Sequence, residues 1–246
     1  MNLLLLSFIG SVAGLIGGAI LLLKGKWAKS LTNVAVPLAA GVLLSVSLLD
    51  LLPEAAEKIG DKAFMIVLIA FVAFFLVERF ILYLHHHDGE KEGSNLRDAI
   101  PLVIFGDTIH NFLDGVAIAA GFIISPSLGL VVALSTFLHE TPHEIADFGI
   151  LLSAGWKRQK VFIANLLSSL ATFPGAIFTY SYALQIESSV GIFLSVATGL
   201  FLYIAATDFL PEVSHAPVGS SRRQALFLII GILVIVALRI LIPEMH

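Results

Sequence analysis

Eight long apolar runs, separated by short polar links, dominate the pattern of the chain. A helix needs about 20 apolar residues to cross the hydrocarbon core of a membrane. Backbone polar groups cannot stay unpaired in lipid, so such runs form helices rather than open strands. The pattern therefore predicts an all-α integral membrane protein, a single transmembrane domain over 1–246, with spans at 3–23, 33–52, 63–84, 98–124, 127–153, 160–184, 189–210 and 224–242.

Composition agrees with burial in a lipid bilayer. Hydrophobic residues make up 58% of the chain and charged residues 13%, whereas a soluble domain carries about 25% charged residues. No basic tract with interleaved aromatics is present, so nucleic acid is not an expected partner. Cysteine is absent, which excludes disulfides and thiolate metal sites. Residues 2–23 lack a basic leader and a cleavage signal, so we expect a retained first span.

The basic residues are distributed unevenly between the two sets of loops. Of 14 Lys and Arg residues, all but Lys58, Lys62 and Arg239 lie near the odd-numbered loops. Short loops rich in Lys and Arg remain in the cytoplasm. We therefore expect a multi-pass protein of the cell (plasma or inner) membrane with both termini outside.

Two segments share the pattern G-x8-D-x-L-P-E at a separation of 158 residues, 41–54 and 199–212. The spans that contain them cross the membrane in opposite directions, which predicts an inverted repeat of spans 1–3 and 6–8. A simpler alternative is that the proline only ends each helix. The acidic residues are candidates for the two mouths of a cation pathway: Asp50, Glu54, Asp208 and Glu212.

Spans four and five each carry a polar cluster near mid-membrane. Ionisable groups at that depth are costly and mark functional pathways by default. At about 100° per residue, each cluster forms a stripe along one face of its helix. The candidate residues are Asp107, His110, Asn111 and Asp114 in span four, and His139, Glu140, His143, Glu144 and Asp147 in span five.

Imidazole and carboxylate donors together favour divalent transition metals. The i, i+4 spacing of His110/Asp114 and His139/His143 brings each pair close enough to share one ion. The expected cargo is Zn²⁺, with Cd²⁺, Fe²⁺, Mn²⁺ or Co²⁺ as further candidates, and no organic cofactor is expected. Pro142 and Pro174 are expected to kink their helices and free backbone carbonyls beside a cavity.

Other interpretations remain open at this point. The histidines could be packing residues, or part of a proton relay without metal. A carrier of organic cations would need an aromatic cage, for which the signal is weak. His139–His143 also reads H-E-x-x-H, the zinc motif of metalloproteases. Pro142 would distort that helix, and the stripe on span four has no role in a protease. We therefore expect a transporter rather than an enzyme.

A short histidine tract lies in the loop expected at about 85–97. His85, His86 and His87 could bind metal weakly on the cytoplasmic side. A solvated loop without metal is the alternative.

The segments H-N-F-L-D-G-V-A-I-A and H-E-T-P-H-E-I-A-D-F, with both D-x-L-P-E segments, resemble the ZIP (Zrt/Irt-like protein) family of metal transporters. The branch with H-E-x-P-H-E-x-x-D is the most similar. The resemblance implies alternating-access import of zinc to the cytoplasm, a 3+2+3 helix arrangement and a homodimer. It also implies that Thr172 replaces a glutamate that supports a second metal position in some members. The implied ligands are His110, Asn111, Asp114, His139, Glu140 and His143.

Overall fold

The computed structural model of the protein is helical throughout the part of the chain that it describes. Described residues are 2–23, 25–87, 96–183, 185–186, 189–215 and 218–241, with side chains left out at 25, 80–87, 96–99 and 218–220. The α-helices are α1 Leu3–Gly10, α2 Leu15–Leu23, α3 Gly25–Ser45, α4 Leu52–Ile59, α5 Lys62–His87, α6 Leu96–Ile124, α7 Pro126–Ser153, α8 Arg158–Ser169, α9 Thr172–Ala183, α10 Ser189–Ile204, α11 Leu210–Ser214 and α12 Val218–Leu241.

Six helical segments in the described ranges are long and apolar enough to cross a membrane: Leu3–Leu23, Lys26–Ile59, Ile100–Ile124, Arg158–Ala183, Ser189–Ser214 and Ser221–Leu241. The protein is thus an all-helical, multi-pass membrane protein. The two other expected spans coincide with α5 and α7. Both are helical, but neither is among the six segments that are apolar enough to cross a membrane. The polar stripe of α7 lowers its mean hydropathy. The count of eight spans stays a prediction.

The two D-x-L-P-E segments do not end their helices. A π-helical turn, Val46–Leu51, joins α3 to α4, and a second π turn, Ala205–Phe209, joins α10 to α11. Pro53 and Pro211 each lie at the start of the helix that follows the turn. Proline is tolerated there because the amide proton that it lacks would be unpaired in a first turn. The alternative interpretation, in which proline only ends each helix, does not match this arrangement.

Spans one and six are interrupted near their middles. A 3₁₀ turn, Val12–Gly14, separates α1 from α2, and Leu170 and Ala171 form a turn between α8 and α9. Pro174 lies in the first turn of α9, and the carbonyl of Leu170 accepts a hydrogen bond from the amide of Phe173 at 3.2 Å. Pro142, by contrast, lies inside the uninterrupted α7.

The helices pack in two groups that meet at the centre of the molecule. In the first, α12 packs on α3, and α10 packs on α4 and α5. In the second, α6 packs on α7, α8 and α9, and α7 also contacts α1 and α2. The groups touch where α3 meets α7 and where α10 meets α6. Many large apolar side chains are exposed on the outside, as on α5 and α12, where lipid would cover them.

Candidate metal centre

The link between α6 and α7 holds the two polar stripes side by side. Ser125 is the only residue between the helices, and its hydroxyl accepts a hydrogen bond from the amide of Leu128 at 3.0 Å. This contact caps α7, and Pro126 occupies the adjacent first-turn position, where its fixed φ favours a helix start. The two helices are therefore antiparallel neighbours, as their short connection predicts.

Four side chains from these helices converge on one point. His110, Asp114, His139 and Glu140 each offer one donor atom, and these atoms all lie within 4.8 Å of one another. The His110 Nε2 atom is 2.9 Å from Glu140 Oε1 and 3.2 Å from His139 Nε2. The Asp114 Oδ2 atom is 3.3 Å from His139 Nε2 and 3.7 Å from His110 Nε2. We call these four residues the central cluster.

A backbone contact fixes which nitrogen His139 presents to the central cluster. Its Nδ1 atom is 3.0 Å from the carbonyl oxygen of Ser135, one turn earlier on α7. A carbonyl only accepts hydrogen bonds, so Nδ1 carries the proton. The Nε2 atom of the neutral ring then has a free lone pair directed at the cluster. Metal-binding histidines are commonly oriented in this way.

The electrostatics of the central cluster favour a cation. Asp114 and His139 are fully buried, and Glu140 is 1% exposed. Apart from their contacts with the two histidines, the carboxylate oxygens of Asp114 and Glu140 accept no hydrogen bond from the described residues. Their described ion-pair partners are the histidines alone. Burying carboxylates without compensation is costly, and a bound dication would offset that cost.

His143 lies beside the central cluster without joining it. Its ring stacks on His110 with centroids 5.3 Å apart, and its Nε2 atom is 3.8 Å from Asp208 Oδ2. Asp208 belongs to the π turn before α11, so this contact joins the two helix groups. The ring of Phe209 packs against His143 at 5.2 Å.

The remaining stripe residues occupy different surroundings. The amide of Asn111 is hydrogen-bonded to Asp107 on its own helix and to hydroxyl groups of Ser11 and Thr172. Glu144 is buried, and its carboxylate has no hydrogen-bond partner among the described groups. Asp147 is partly exposed and lines a cavity.

That cavity, with a volume of about 400 Å³, reaches the central cluster at His110. Its acidic and histidine side chains come from both helix groups: Glu78, Asp107, His110, His143, Asp147 and Asp208. A second cavity of about 270 Å³ shares His143 and Asp208 with the first and continues to Glu212. The His143–Asp208 contact thus lies between two cavities.

The acidic residues expected at the mouths differ in their surroundings. Asp208 and Glu212 line cavities, and Glu212 is exposed. Asp50 is fully buried and Glu54 is 7% exposed. An ion pair joins Asp50 to Arg239 of α12, with Oδ1 and Nη1 3.1 Å apart. The side chains of His85, His86 and His87 lie outside the described residues.

Two charged residues near the pathway were missed at the sequence level. Glu78 of α5 lines the larger cavity and accepts a hydrogen bond from the Tyr203 hydroxyl. Arg239 neutralises Asp50. Glu78 is followed by Arg79 in an apolar span, and Arg239 lies near the end of another, so an ionisable group within a span was the available signal.

Nitrogen and oxygen donors in this set suit zinc and related divalent transition metals. The fold and the central cluster together define a multi-pass membrane protein with a buried His/carboxylate centre of metal-binding chemistry. A family model described as "ZIP Zinc transporter" matches residues 2–101 and 87–239, and the chain belongs to this ZIP family. The family consists of transporters rather than enzymes.

Several curated relatives carry the same kind of name. The chain is 38% identical over 141 residues to "Zinc transporter foi" of Drosophila melanogaster, covering 56% of this chain and 20% of that protein. It is 41% identical over 128 residues to human "Zinc transporter ZIP4", covering 52% and 19%. For human "Zinc transporter ZIP10", identity is 34% over 166 residues, covering 62% and 20%. The chain spans about a fifth of the length of these relatives.

Proposed function

We propose that the protein carries divalent transition-metal ions, zinc first, across the membrane toward the cytoplasm. The observation that carries this proposal is the central cluster, in which two imidazoles and two carboxylates from adjacent helices converge in a buried site. Zinc as cargo is supported by this donor set and by the names of the relatives. Cd²⁺, Fe²⁺, Mn²⁺ and Co²⁺ have overlapping ligand preferences and are secondary candidates.

The position of the central cluster favours transport over permanent storage of an ion. His110 is part of both the cluster and the wall of the larger cavity. An ion held there has a polar route past His143 and Asp208 to Glu212. Without thiolate ligands, binding is moderate enough for release. We propose alternating access, in which the helix groups shift against each other at their shared boundary.

An inverted repeat within a 3+2+3 arrangement of eight spans is part of the proposal. Asp50 and Asp208 occupy equivalent positions in two π turns, in support of this symmetry. Gly41 lies against the backbone of α12, and its counterpart Gly199 lies against the backbone of α5. Repeats of this kind place substrate sites near the membrane midplane.

The remaining features rest on the sequence and the family resemblance. The distribution of Lys and Arg supports outside termini and a cell-membrane location. A homodimer and a cytoplasmic metal-binding role for the segment around 85–97 follow the resemblance and the histidine tract. The single domain over 1–246 is likewise a prediction.

Uptake of zinc into proteoliposomes tests the proposal. We expect the variants His110→Ala and His139→Ala to lower the zinc uptake rate by more than about tenfold. Each removes a proposed metal ligand, and loss of a residue that only supports a ligand already lowers affinity or activity about tenfold or more. His215→Ala alters an exposed histidine and serves as the matched control. Uptake by both cluster variants at the wild-type rate would disprove the proposed role of the central cluster.

A further inference from the structure

The exposed face of α8 changes from basic to apolar within one helical turn. Lys160, Ile163 and Leu167 are all exposed, and their i, i+3, i+7 spacing places them along one side of the helix. Arg158 and Phe162, which are also exposed, repeat the change at a spacing of one turn. A face of this kind fits the boundary of a membrane, where charged headgroups adjoin hydrocarbon.

The turn that precedes α8 holds the basic end of this face in place. The amide of Gly155 donates to the carbonyl of Leu152 at 2.9 Å, and the amide of Trp156 donates to the carbonyl of Leu151 at 3.1 Å. This pair of hydrogen bonds is the Schellman motif that ends many helices. Gly155 has a φ of 85°, which glycine adopts without steric cost. The indole of Trp156 is thereby fixed at the end of α7, where it packs against an apolar cluster that includes Leu151.

The side chain of Lys160 lies over this indole. Its Nζ atom is 3.5 Å from the centroid of the Trp156 ring, which makes a cation–π contact. The contact turns the ammonium group back toward the start of α8, where Lys157 and Arg158 are exposed. Tryptophan is enriched at membrane interfaces because its ring is amphipathic. We call Trp156, Lys157, Arg158 and Lys160 the basic turn.

The positive charge of the basic turn is not balanced within the described protein. No acidic residue occurs between positions 148 and 186 of the sequence. Among the described residues, Lys157, Arg158 and Lys160 form no ion pair with a carboxylate. The side chain of Lys157, at the N-cap of α8, makes no capping hydrogen bond, so the free amides and the dipole of the helix add to the positive charge. An anionic group beside the basic turn would offset this charge.

The second tryptophan of the chain repeats the same pairing on a neighbouring link. Trp27 is exposed in the first turn of α3, and Lys26 and Lys29 are exposed beside it. The helix before it, α2, runs parallel to α7, with close approaches at Gly14–Glu140 and Gly18–Phe148. The link from α2 to α3 and the link from α7 to α8 therefore lie at the same end of the protein. Both tryptophans of the chain thus lie beside lysines at that end.

We propose that the basic turn binds the headgroup of an anionic phospholipid whose acyl chains lie along Phe162, Ile163 and Leu167. Ammonium and guanidinium groups donate charge-assisted hydrogen bonds to phosphate oxygens. The side that carries this turn is the one predicted to be cytoplasmic, where anionic lipids face the protein. A soluble phosphate would contact only the basic end of the face and leave its apolar part without a partner. Lipid binding of this kind goes beyond transport and requires no metal.

Quenching of Trp156 fluorescence by lipids with brominated acyl chains measures this binding. In the variant Trp27→Phe, Trp156 is the single tryptophan. The full chain is reconstituted in phosphatidylcholine vesicles that contain a minor fraction of brominated phosphatidylglycerol or brominated phosphatidylcholine. We expect stronger quenching by the anionic lipid. Lys157→Gln and Arg158→Gln should each lower that preference about fivefold, while Lys160 stays unchanged because it touches the reporter ring.

Matched controls come from the opposite end of the protein. Lys58→Gln and Lys62→Gln neutralise exposed basic residues at the link between α4 and α5, on the side predicted to be outside. Both should keep the preference of the Trp27→Phe parent. An equal loss in these controls would show diffuse attraction of the whole chain to charged lipid and would overturn the proposal. Equal quenching of the parent by the two lipids would overturn it as well.

Inorganic phosphate distinguishes a lipid from a soluble anion as the occupant. An excess of phosphate at constant ionic strength should leave the quenching by brominated phosphatidylglycerol unchanged, because phosphate makes no contact with the apolar part of the face. Loss of quenching in phosphate would show a site for the free anion and would contradict the lipid proposal. Since the vesicles contain no added metal, either result leaves the proposed zinc transport to its own test.

Discussion

Two buried carboxylates, Asp114 and Glu140, determine the chemistry at the scale of single residues. One oxygen of each carboxylate lies within 4.8 Å of a nitrogen of both His110 and His139. Apart from these contacts, neither carboxylate accepts a hydrogen bond from the described residues. The sequence predicts that Asp114 shares a helix face with His110, because helical periodicity brings residues one turn apart to the same side. It could not show that Asn111 is engaged by Ser11 and Thr172, since those partners are far away in the chain.

Glu140→Gln tests the central cluster and the protease alternative together. We expect zinc uptake to fall by more than about tenfold, because the change removes one of the two charges that offset the dication. Neither variant nor wild type should cleave peptides. The exposed Glu57 provides the matched control Glu57→Gln. Peptide cleavage by the wild type that is lost in Glu140→Gln would contradict the transporter assignment.

The ion pair between Asp50 and Arg239 gives a prediction about stability. Arg239→Met should destabilise the protein by about 3 kcal/mol, because it removes the counter-charge of a buried carboxylate. Adding Asp50→Asn should recover at least about 1 kcal/mol, since the buried negative charge that Arg239 faced is then gone. Thermal unfolding in detergent measures both effects. A double variant no more stable than Arg239→Met would show that the pair is not energetically coupled.

At the scale of helices, close approach of the backbones explains how α6 packs against α9 while His110 and Asp114 of α6 face the central cluster. A side chain at Gly115 would overlap the carbonyl oxygen of Thr172 on α9. The sequence contains this glycine, but only the packing of α6 on α9 shows why it matters. The interruptions of spans one and six also belong to this scale, because local sequence alone did not reveal the partners that stabilise them.

Gly115→Ala should therefore destabilise the protein by about 1–3 kcal/mol, as overpacking does in close-packed interiors. Gly106→Ala, on the same helix, meets nothing within 4 Å and is the matched control. It should be neutral or slightly stabilising, because alanine favours a helix more than glycine does. Thermal unfolding of both variants provides the measurement. Equal stability of the two would refute the packing argument.

At the scale of the whole molecule, two helix groups share one polar boundary. The central cluster lies on α6 and α7 of one group, and Asp208 of the other group reaches His143. Charge is distributed unequally between the two proposed repeats. Asp50 is paired with Arg239, whereas Asp208 shares its cavity with Glu78.

The predicted orientation can be tested directly because the chain contains no cysteine. Asp61 lies in an exposed turn between α4 and α5, and Lys157 is exposed in the link between α7 and α8. The variants Asp61→Cys and Lys157→Cys each introduce a single thiol at these positions. A membrane-impermeant maleimide should label Asp61→Cys in intact cells and Lys157→Cys only after permeabilisation. The positive-inside distribution is the physical reason. The reverse labelling pattern would place the termini in the cytoplasm.

The sequence by itself determined the helices and the faces that carry polar groups. Lipid leaves helices as the only way to pair the backbone of these apolar runs, and a period of about 3.6 residues fixes which side chains share a face. It also identified the histidines of α6 and α7 as metal-binding candidates, because ionisable groups are costly at that depth.

Only the tertiary structure decided which polar residues meet. It joined His110, Asp114, His139 and Glu140 in one cluster and placed His143 beside it. It also paired Asp50 with Arg239 and linked Asn111 to the interrupted spans. These contacts join residues of different helices. Their geometry depends on how helices cross and where they break, which periodicity within one helix does not encode.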